Sequence, residues 1–211
     1  MKLYGLLGYP LGHSFSAKYF AEKFAKEGID ATYKNFEFAE VADAVAYLLQ
    51  QDDLQGFNVT IPHKQAIMPY LNGLSAEAEA IGAVNVVCVK RDADGAVKLL
   101  GCNSDVVGFS NSIQPLLRPM LHSKALVLGT GGASKAVMYG LRKLGVEPIY
   151  VSRTPKEGQL TYNDLTPEVM RDYKVIVNCT PLGMYPKVDA CPDIPYQYLT
   201  PDHLLYDLVY N

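Results

Sequence analysis

The stretch Lys124–Ser134, K-A-L-V-L-G-T-G-G-A-S, indicates the fold of the second half of the chain. Its first five residues have the composition of a strand that is buried in a parallel sheet. A glycine-rich turn follows, and behind it the pattern predicts a helix that runs to Leu144 and stops at Gly145. A strand, a glycine turn and a helix in this order are typical of a Rossmann-type unit that binds a dinucleotide.

The glycine turn has the chemistry that a pyrophosphate group needs. Glycines let the backbone come close to the phosphates, and the N-terminus of the following helix offers unpaired N–H groups and a partial positive charge. Ser134 stands at the third glycine position of the G-x-G-x-x-G fingerprint, so the match is imperfect. A tight turn between strand and helix that binds no ligand is the alternative interpretation.

The end of the second strand of this unit indicates which dinucleotide is bound. An Asp or Glu there would bind the ribose 2′-hydroxyl of NAD. The chain instead has Ser152-Arg153-Thr154, followed by Lys156. A guanidinium beside a hydroxyl suits the 2′-phosphate of NADP through charge-assisted hydrogen bonds. We therefore predict NADP as the cofactor, although Glu157 brings a like charge near that phosphate.

In the first half of the chain, the run Gly56–Lys64, G-F-N-V-T-I-P-H-K, predicts a ligand site. Asn58 and Thr60 lie two residues apart on a predicted strand over 56–61, so their side chains point to the same side. Lys64 follows just beyond the strand end. An amide, a hydroxyl and an ammonium group together suit a small, polyhydroxylated, anionic substrate. An ordinary strand with a lysine in solvent is the alternative.

The remaining pattern predicts two α/β domains. Strands at 2–8 and 31–38 alternate with helices at 17–27, 41–50 and 75–81, and Asp92–Gly95 predicts a hairpin between strands at 84–90 and 97–101. A helix is predicted at 105–117, with further strands at 148–152, 175–178 and 204–209. We expect a mixed-sheet α/β substrate-binding domain over 1–104 and a Rossmann-type NADP-binding domain over 105–211.

Composition excludes several classes of protein. Of the 211 residues, 49% are hydrophobic and 19% charged, which is ample for a packed core, and the net charge of -3 does not favour nucleic acid. No apolar run is long enough to span a bilayer, and the chain opens directly on a predicted strand, so we expect no membrane association and a cytoplasmic protein. The four cysteines lack C-x-x-C spacing and the four histidines are scattered, so no metal is expected.

Seven motifs occur in order along the chain. They are G-x-P-x-x-H-S-x-S (8–16), N-V-T-x-P-x-K (58–64), G-A-V-N (82–85), G-x-N-x-D-x-x-G-F (101–109), G-x-G-G-A-S (129–134), R-T (153–154) and D-L-V-Y-N (207–211). In these motifs the chain resembles the shikimate dehydrogenase family over nearly its whole length. The resemblance implies reversible, NADP-dependent reduction of 3-dehydroshikimate to shikimate in aromatic amino-acid biosynthesis, with a small-molecule substrate.

The resemblance also implies roles for individual residues. Ser14 and Ser16 match serines that hold the substrate carboxylate, and Tyr210 matches a tyrosine near the substrate. The residues matched to those around the ring hydroxyls and the reacting carbon are Asn58, Thr60, Lys64, Asn85 and Asp105. The residues matched to cofactor contacts are Gly129, Thr130, Gly131, Gly132, Ala133, Ser152, Arg153 and Thr154, with Leu208 near the nicotinamide.

Lys64 and Asp105 are the candidate catalytic residues. Reduction of a ketone by hydride produces an alkoxide, which needs a proton. An ammonium group can stabilise the alkoxide and donate that proton, and a carboxylate can tune the ammonium group. A salt bridge that only ties a loop to a helix is the alternative interpretation of the pair.

The chain departs from the family pattern at three places. Ser152 stands where the family usually has asparagine, and Ser104 stands where the N-T-D triplet has threonine. Relatives continue beyond D-L-V-Y-N, so we expect a second domain that is truncated at its C-terminus. A quinate/shikimate dehydrogenase with relaxed cofactor use and a non-catalytic ligand-binding module remain alternatives, as do a monomer and a homodimer.

Overall fold

The computed structural model of the chain describes residues 1–12 and 15–209. The chain forms two compact units, Met1–Ser104 and Asp105–Asn211. The first unit contains a mixed sheet and the second a parallel sheet, each combined with helices. The predicted α/β fold class is therefore confirmed.

The first unit is built on a six-stranded sheet. Its elements are β1 (Lys2–Gly8), α1 (Phe15–Glu27), β2 (Ala31–Glu37), α2 (Val41–Leu49), β3 (Leu54–Val59), α3 (His63–Ala66), β4 (Gly73–Leu74), α4 (Ala76–Ile81), β5 (Val86–Arg91) and β6 (Val97–Cys102). The strand order is β2-β1-β3-β5-β6-β4. β1 pairs in parallel with β2 and β3, whereas β5 pairs antiparallel with β3 and β6. The predicted hairpin between β5 and β6 is thus what makes the sheet mixed.

Two different kinds of packing hold helices on this sheet. α2 buries Ala44, Val45 and Leu48 in the main hydrophobic core of the unit. α1 has no fully buried side chain among the residues described for it and contacts the sheet through aromatic rings instead. The Phe20 ring stacks on the Tyr33 ring of β2 with 4.5 Å between centroids. α1 is therefore held by ring contacts rather than by a deep apolar stripe.

The second unit surrounds a four-stranded parallel sheet. Its elements are α5 (Asp105–Ile113), β7 (Lys124–Leu128), α6 (Gly132–Lys143), β8 (Glu147–Val151), α7 (Pro167–Asp172), β9 (Val175–Asn178) and β10 (Leu204–Asp207). The strand order is β10-β9-β7-β8. β7 lies between β8 and β9, and its last four residues are at most 1% exposed. Apolar clusters cover both faces of the sheet, as expected for a parallel sheet.

The structure differs from the predicted elements in a few places. The helix at 105–117 ends as an α-helix at Ile113, and a 3₁₀ turn, Gln114–Leu116, follows. Pro115 causes this early end because it lacks an N–H group and disfavours α conformation in the residue before it. β3 ends at Val59, so Thr60 lies just beyond the strand. The short elements α3, β4 and α7 were not predicted.

Within residues 1–12 and 15–209, no helix has both the length and the apolar character needed to cross a membrane. The same part of the chain contains no cluster of three or more His, Cys, Asp or Glu side chains that could hold a metal ion. All four cysteines lie in this part and are free thiols.

Gly5→Ala tests the close approach of β1 and β2. A Cβ atom at Gly5 would lie 2.2 Å from Phe36 Cε2 and 2.4 Å from the carbonyl oxygen of Lys34. We expect this overpacking to lower the free energy of unfolding of the first unit by about 1–3 kcal/mol in denaturant titrations. The control is Gly108→Ala in α5, where a Cβ meets nothing within 4 Å. That control should be stabilised by roughly 0.5–1 kcal/mol, and equal stability of the two variants would contradict this packing.

Candidate active site

In the first unit, the parallel strands β1, β2 and β3 end at the same edge of the sheet, and the predicted substrate residues lie near it. The end of β3 is fixed from both sides. Val59 N donates to the carbonyl oxygen of Asn85 at 2.9 Å, and Thr60 N donates to that of Leu7 at 2.8 Å. The backbone therefore holds Asn58 and Thr60 in place before any ligand binds.

The Asn58 side chain is bonded at both ends of its amide. Its Oδ1 accepts a hydrogen bond from the Tyr33 hydroxyl at 2.8 Å. Its Nδ2 donates to the carbonyl oxygen of Asn85 at 3.5 Å. These two bonds give the amide a defined orientation at the edge where the sequence predicts a polar ligand.

Tyr33 holds the Asn58 amide from β2, and sequence reasoning missed it. Tyr33 is 8% exposed. Burial raises the pKa of Tyr33 to about 12, and the Ser16 side chain opposes that rise. The hydroxyl therefore keeps its proton at neutral pH and remains a donor.

Asn85 is buried and uses its side chain within the protein. Its Nδ2 donates to Ser104 Oγ at 3.0 Å, and its Oδ1 accepts from Ser104 N at 2.8 Å. Serine at position 104 thus supplies the hydroxyl that a threonine would offer there. The departure from the N-T-D triplet leaves this bond intact.

Lys64 lies in α3, directly behind the end of β3. Its carbonyl oxygen accepts from Val84 N at 2.7 Å, which joins the N-V-T-x-P-x-K and G-A-V-N segments. The neighbouring His63 is 2% exposed, and its Nε2 lies 2.7 Å from the carbonyl oxygen of Phe38. His63 is therefore structural, and the half-buried Lys64 is the cationic group that α3 brings to this edge.

Of the other predicted substrate residues, only some lie among the residues that the structure describes. Asp105 is the first residue of α5 in the second unit, where the helix N-terminus favours a carboxylate. Ser14 and Tyr210 lie outside the described residues, so their assignment stays a prediction.

In the second unit, the glycine turn has the geometry that the sequence predicts. Gly129 adopts φ +95°, in the region that favours glycine, and its N–H donates to the carbonyl oxygen of Val151 at 2.9 Å. Gly131 precedes the first residue of α6. A Cβ atom at Gly131 would meet nothing within 4 Å, so open space lies beside the helix N-terminus. These features fit a dinucleotide pyrophosphate.

Ser134 fills the third glycine position of the fingerprint without a clash. It is fully buried, and its hydroxyl donates to the carbonyl oxygen of Gly131 at 2.7 Å. The serine is therefore satisfied inside the unit, and the imperfect match does not weaken the site.

The residues predicted to choose the cofactor lie next to the glycine turn. The register pairs Leu128 with Val151, so the residues that follow them, Gly129 and Ser152, are neighbours. Ser152 is buried, and its Oγ accepts from Thr154 N at 3.2 Å. This bond shapes the turn and leaves the side chain of Arg153 exposed. A cation thus stands beside the predicted phosphate site.

A second polar cluster, which the sequence did not reveal, lies at the ends of β9 and β10. Asn178 Nδ2 donates to both carboxylate oxygens of Asp207 at 3.1 and 3.2 Å. Asn178 Oδ1 accepts from the Thr180 hydroxyl at 2.7 Å. Leu208 N donates to the carbonyl oxygen of Asn178 at 3.1 Å, so the predicted nicotinamide neighbour lies two strands from β7.

A cavity of about 100 Å³ adjoins this cluster on the α7 side of the sheet. Asn178 and Asp207 line it together with Leu128, the last residue of β7. It lies at the carboxyl ends of parallel strands, where open α/β sheets bind ligands. The hydrogen bond between Asn178 and Asp207 joins two strand ends that lie 29 residues apart, so the D-L-V-Y-N motif that contains Asp207 did not predict this cluster.

The second unit has the features of a dinucleotide site, and the first has a polar edge suited to a small ligand. Together they are typical of dinucleotide-dependent oxidoreductases with separate substrate and cofactor units.

Comparisons with known proteins identify the family. The family model described as "Shikimate dehydrogenase substrate binding domain" matches residues 6–87. The shikimate dehydrogenase (NADP(+)) of Carboxydothermus hydrogenoformans is 34% identical over 225 residues, which cover 100% of this chain and 79% of the relative. The chain belongs to the shikimate dehydrogenase family, and the resemblance seen in the motifs is confirmed.

Solved structures agree with this family. The crystal structure of shikimate dehydrogenase from Aquifex aeolicus is 32% identical with a TM-score of 0.84, and the match covers 100% of this chain and 80% of that one. The enzyme from Thermus thermophilus, solved in complex with NADP(H) and shikimate, is 30% identical with a TM-score of 0.80. That match covers 100% of this chain and 79% of the Thermus chain.

Gly131→Ala separates ligand approach from folding. Gly131 has φ -74°, which any residue adopts, and its Cβ would enter open space, so the melting temperature should not change. A methyl group should instead obstruct a pyrophosphate and weaken NADP binding by about tenfold or more, which is 1.4 kcal/mol. Calorimetric titration with NADP measures this. An unchanged dissociation constant would remove Gly131 from the cofactor site.

Proposed function

We propose that this protein catalyses the reversible, NADP-dependent reduction of 3-dehydroshikimate to shikimate, a step of chorismate and aromatic amino-acid biosynthesis. The observation that carries the proposal is the hydrogen-bonded pair Tyr33 and Asn58, which lies at the strand edge of the first unit of a family member. Hydroxyl and amide groups held in this way discriminate among polyols, because a wrong substrate leaves them unpaired.

The substrate carries a carboxylate and ring hydroxyls, and we assign each to its own set of side chains. Ser16 lies in the first turn of α1, where the helix N-terminus favours the substrate carboxylate, and we assign Ser14 to the same group. The ring hydroxyls are assigned to Asn58, Thr60, Asn85 and Tyr210. Because Asn85 already bonds Ser104, it contributes partly by fixing the backbone near the substrate.

Lys64 and Asp105 are proposed as the catalytic residues. Hydride transfer at the carbon that bears the reacting hydroxyl is the chemistry that bound NADP would supply. In the direction of reduction, Lys64 Nζ donates a proton to the developing alkoxide oxygen, and in the reverse direction it receives that proton. The Asp105 carboxylate is assigned to a substrate hydroxyl, from which it accepts a hydrogen bond.

The cofactor residues act by binding and orientation. The backbone of Gly129, Thr130, Gly131, Gly132 and Ala133 approaches the pyrophosphate at the α6 N-terminus. Arg153 and Thr154, in the turn shaped by Ser152, receive the 2′-phosphate, and Leu208 borders the nicotinamide. The substrate and NADP-binding roles are those of units 1–104 and 105–211, respectively.

One alternative within the family is a quinate/shikimate dehydrogenase with relaxed cofactor use. The absence of Asp and Glu at the end of β8 disfavours NAD. A non-catalytic ligand-binding module is the alternative outside enzymes, and the presence of both Lys64 and Asp105 argues against it. We further propose that the protein works in the cytoplasm as a monomer or homodimer.

Initial rates test the proposal directly. Shikimate and quinate are each assayed with NADP and with NAD on the purified chain. We expect NADPH formation with shikimate to be at least about tenfold faster in kcat/KM than any other combination. Comparable rates with quinate or NAD would support the relaxed enzyme, and shikimate binding without turnover would support the binding module.

Lys64→Ala tests the proton donor. Loss of a general acid–base group should lower kcat by about 10²–10⁴-fold, while the dissociation constant of NADP stays close to that of the parent. The matched control is Lys90→Ala on β5, an exposed lysine outside the proposed site, which should keep parental kcat. Full turnover in Lys64→Ala would refute the assignment.

Arg153→Ala tests the choice of cofactor. Loss of a charge-assisted hydrogen bond is worth roughly 1.5–3 kcal/mol, so NADP should bind about 10- to 150-fold more weakly. NAD binding should change little because NAD has no 2′-phosphate. Arg142→Ala, at the opposite end of α6, is the matched control. Equal losses for NADP and NAD would show that Arg153 does not contact the 2′-phosphate.

A further inference from the structure

We propose that Tyr33 is a positioning residue of the substrate site, which fixes the Asn58 amide in one orientation. This inference rests on the proposed function and deepens it. It assigns a role to a buried tyrosine that none of the sequence motifs contains.

Two elements hold the Tyr33 ring. Tyr33 lies in β2, where it pairs in register with Tyr4 of β1. Its ring stacks on Phe20 of α1 at 4.5 Å between centroids and 15° between planes. Because strand pairing fixes the backbone and stacking fixes the ring, the hydroxyl has a fixed place between α1 and β3.

The bonds of Asn58 allow only one orientation of its amide. The amide oxygen only accepts, so the Tyr33 hydroxyl is the donor in their 2.8 Å bond. A turn of the amide by 180° would place Oδ1 against the carbonyl oxygen of Asn85, two acceptors with no proton between them. The nitrogen carries two protons, so one N–H remains for an oxygen atom of the ligand. Asn58 is therefore set as a donor.

The protonation of Tyr33 supports a positioning role over a catalytic one. Burial raises the pKa of this hydroxyl to about 12, so the hydroxyl stays protonated near neutral pH. The pH profile of kcat should therefore be the same with and without the hydroxyl, whereas a general acid would change it.

The test is a double-mutant cycle on the full chain. Tyr33→Phe keeps the ring on Phe20 and removes only the hydroxyl, so the amide of Asn58 loses its donor. We expect KM for shikimate to rise roughly 5- to 50-fold, with an unchanged KM for NADP and an unchanged pH profile of kcat. In the Asn58→Ala background, the same change should raise KM less than about twofold, because no amide remains to be oriented.

Two controls separate positioning from folding. Tyr47→Phe, on α2, removes a hydroxyl from a ring that packs on Phe36 and Phe38, and should keep parental kinetics. Phe20→Leu keeps the Tyr33 hydroxyl but removes its stacking partner. If Tyr33→Phe does not fold, Phe20→Leu should still raise KM for shikimate alone, and a parental KM in that variant would overturn the proposal.

A readout independent of activity distinguishes this inference from the proposed function. In ¹⁵N NMR spectra, the Asn58 side-chain N–H signals should exchange with solvent faster in Tyr33→Phe than in the parent. An inactive parent would refute the proposed function, and this signal would still test Tyr33. Equal effects of Tyr33→Phe with and without Asn58, a shifted pH profile, or unchanged Asn58 exchange would each overturn the positioning role.

Discussion

In each of the two sheets, one strand pairs in parallel with a neighbour on both sides, and this pairing determines where polar side chains can lie. β1 lies between β2 and β3, and β7 lies between β8 and β9, each with parallel neighbours. A strand buried in this way has its backbone groups paired inside the sheet and its side chains in the core. Polar side chains can therefore gather only where the strands end, and both candidate sites lie at such ends.

The sequence predicted those features that local chemistry determines. The buried run Lys124–Leu128 and the glycine turn behind it predicted β7 and α6. The strand, the turn and the start of the helix all lie within eleven consecutive residues, so each has a local signal. The hairpin at Asp92–Gly95 was also recognisable, because its turn contains a glycine. In the structure Gly95 adopts φ +84°, which favours glycine. Predicted bounds differed from the observed ones by a few residues, most at α5, where Pro115 outweighed the helical pattern.

Features that depend on distant partners could not be predicted. β4 has two residues and exists only through its pairing with β6. α7 did have a recognisable start, because Thr166 caps the helix and Pro167 lies in its first turn. Its six residues are too few to show the repeating apolar pattern by which a helix is predicted. Tyr33 reaches Asn58 across 25 residues, and Asn178 reaches Asp207 across 29. Hydrogen bonds of this kind follow from the completed fold.

The polar edge of the first unit consists of side chains that bind one another as well as a ligand. Asn58 is held by Tyr33 and by the Asn85 backbone, and Asn85 in turn holds Ser104 at the end of the unit. A preorganised site loses less entropy when the substrate binds. It also offers fixed donors, so an analogue that lacks an oxygen leaves a buried donor unpaired.

Transfer of an isotopic label shows directly whether the protein reduces 3-dehydroshikimate with a hydride from NADPH. The purified protein is incubated with 3-dehydroshikimate and with NADPH that carries deuterium at the transferable position of the nicotinamide, and the product is analysed by mass spectrometry and NMR. The account predicts shikimate with a single deuterium on the carbon that bore the ketone. Recovery of unlabelled shikimate, or of unchanged 3-dehydroshikimate although both ligands bind, would contradict it.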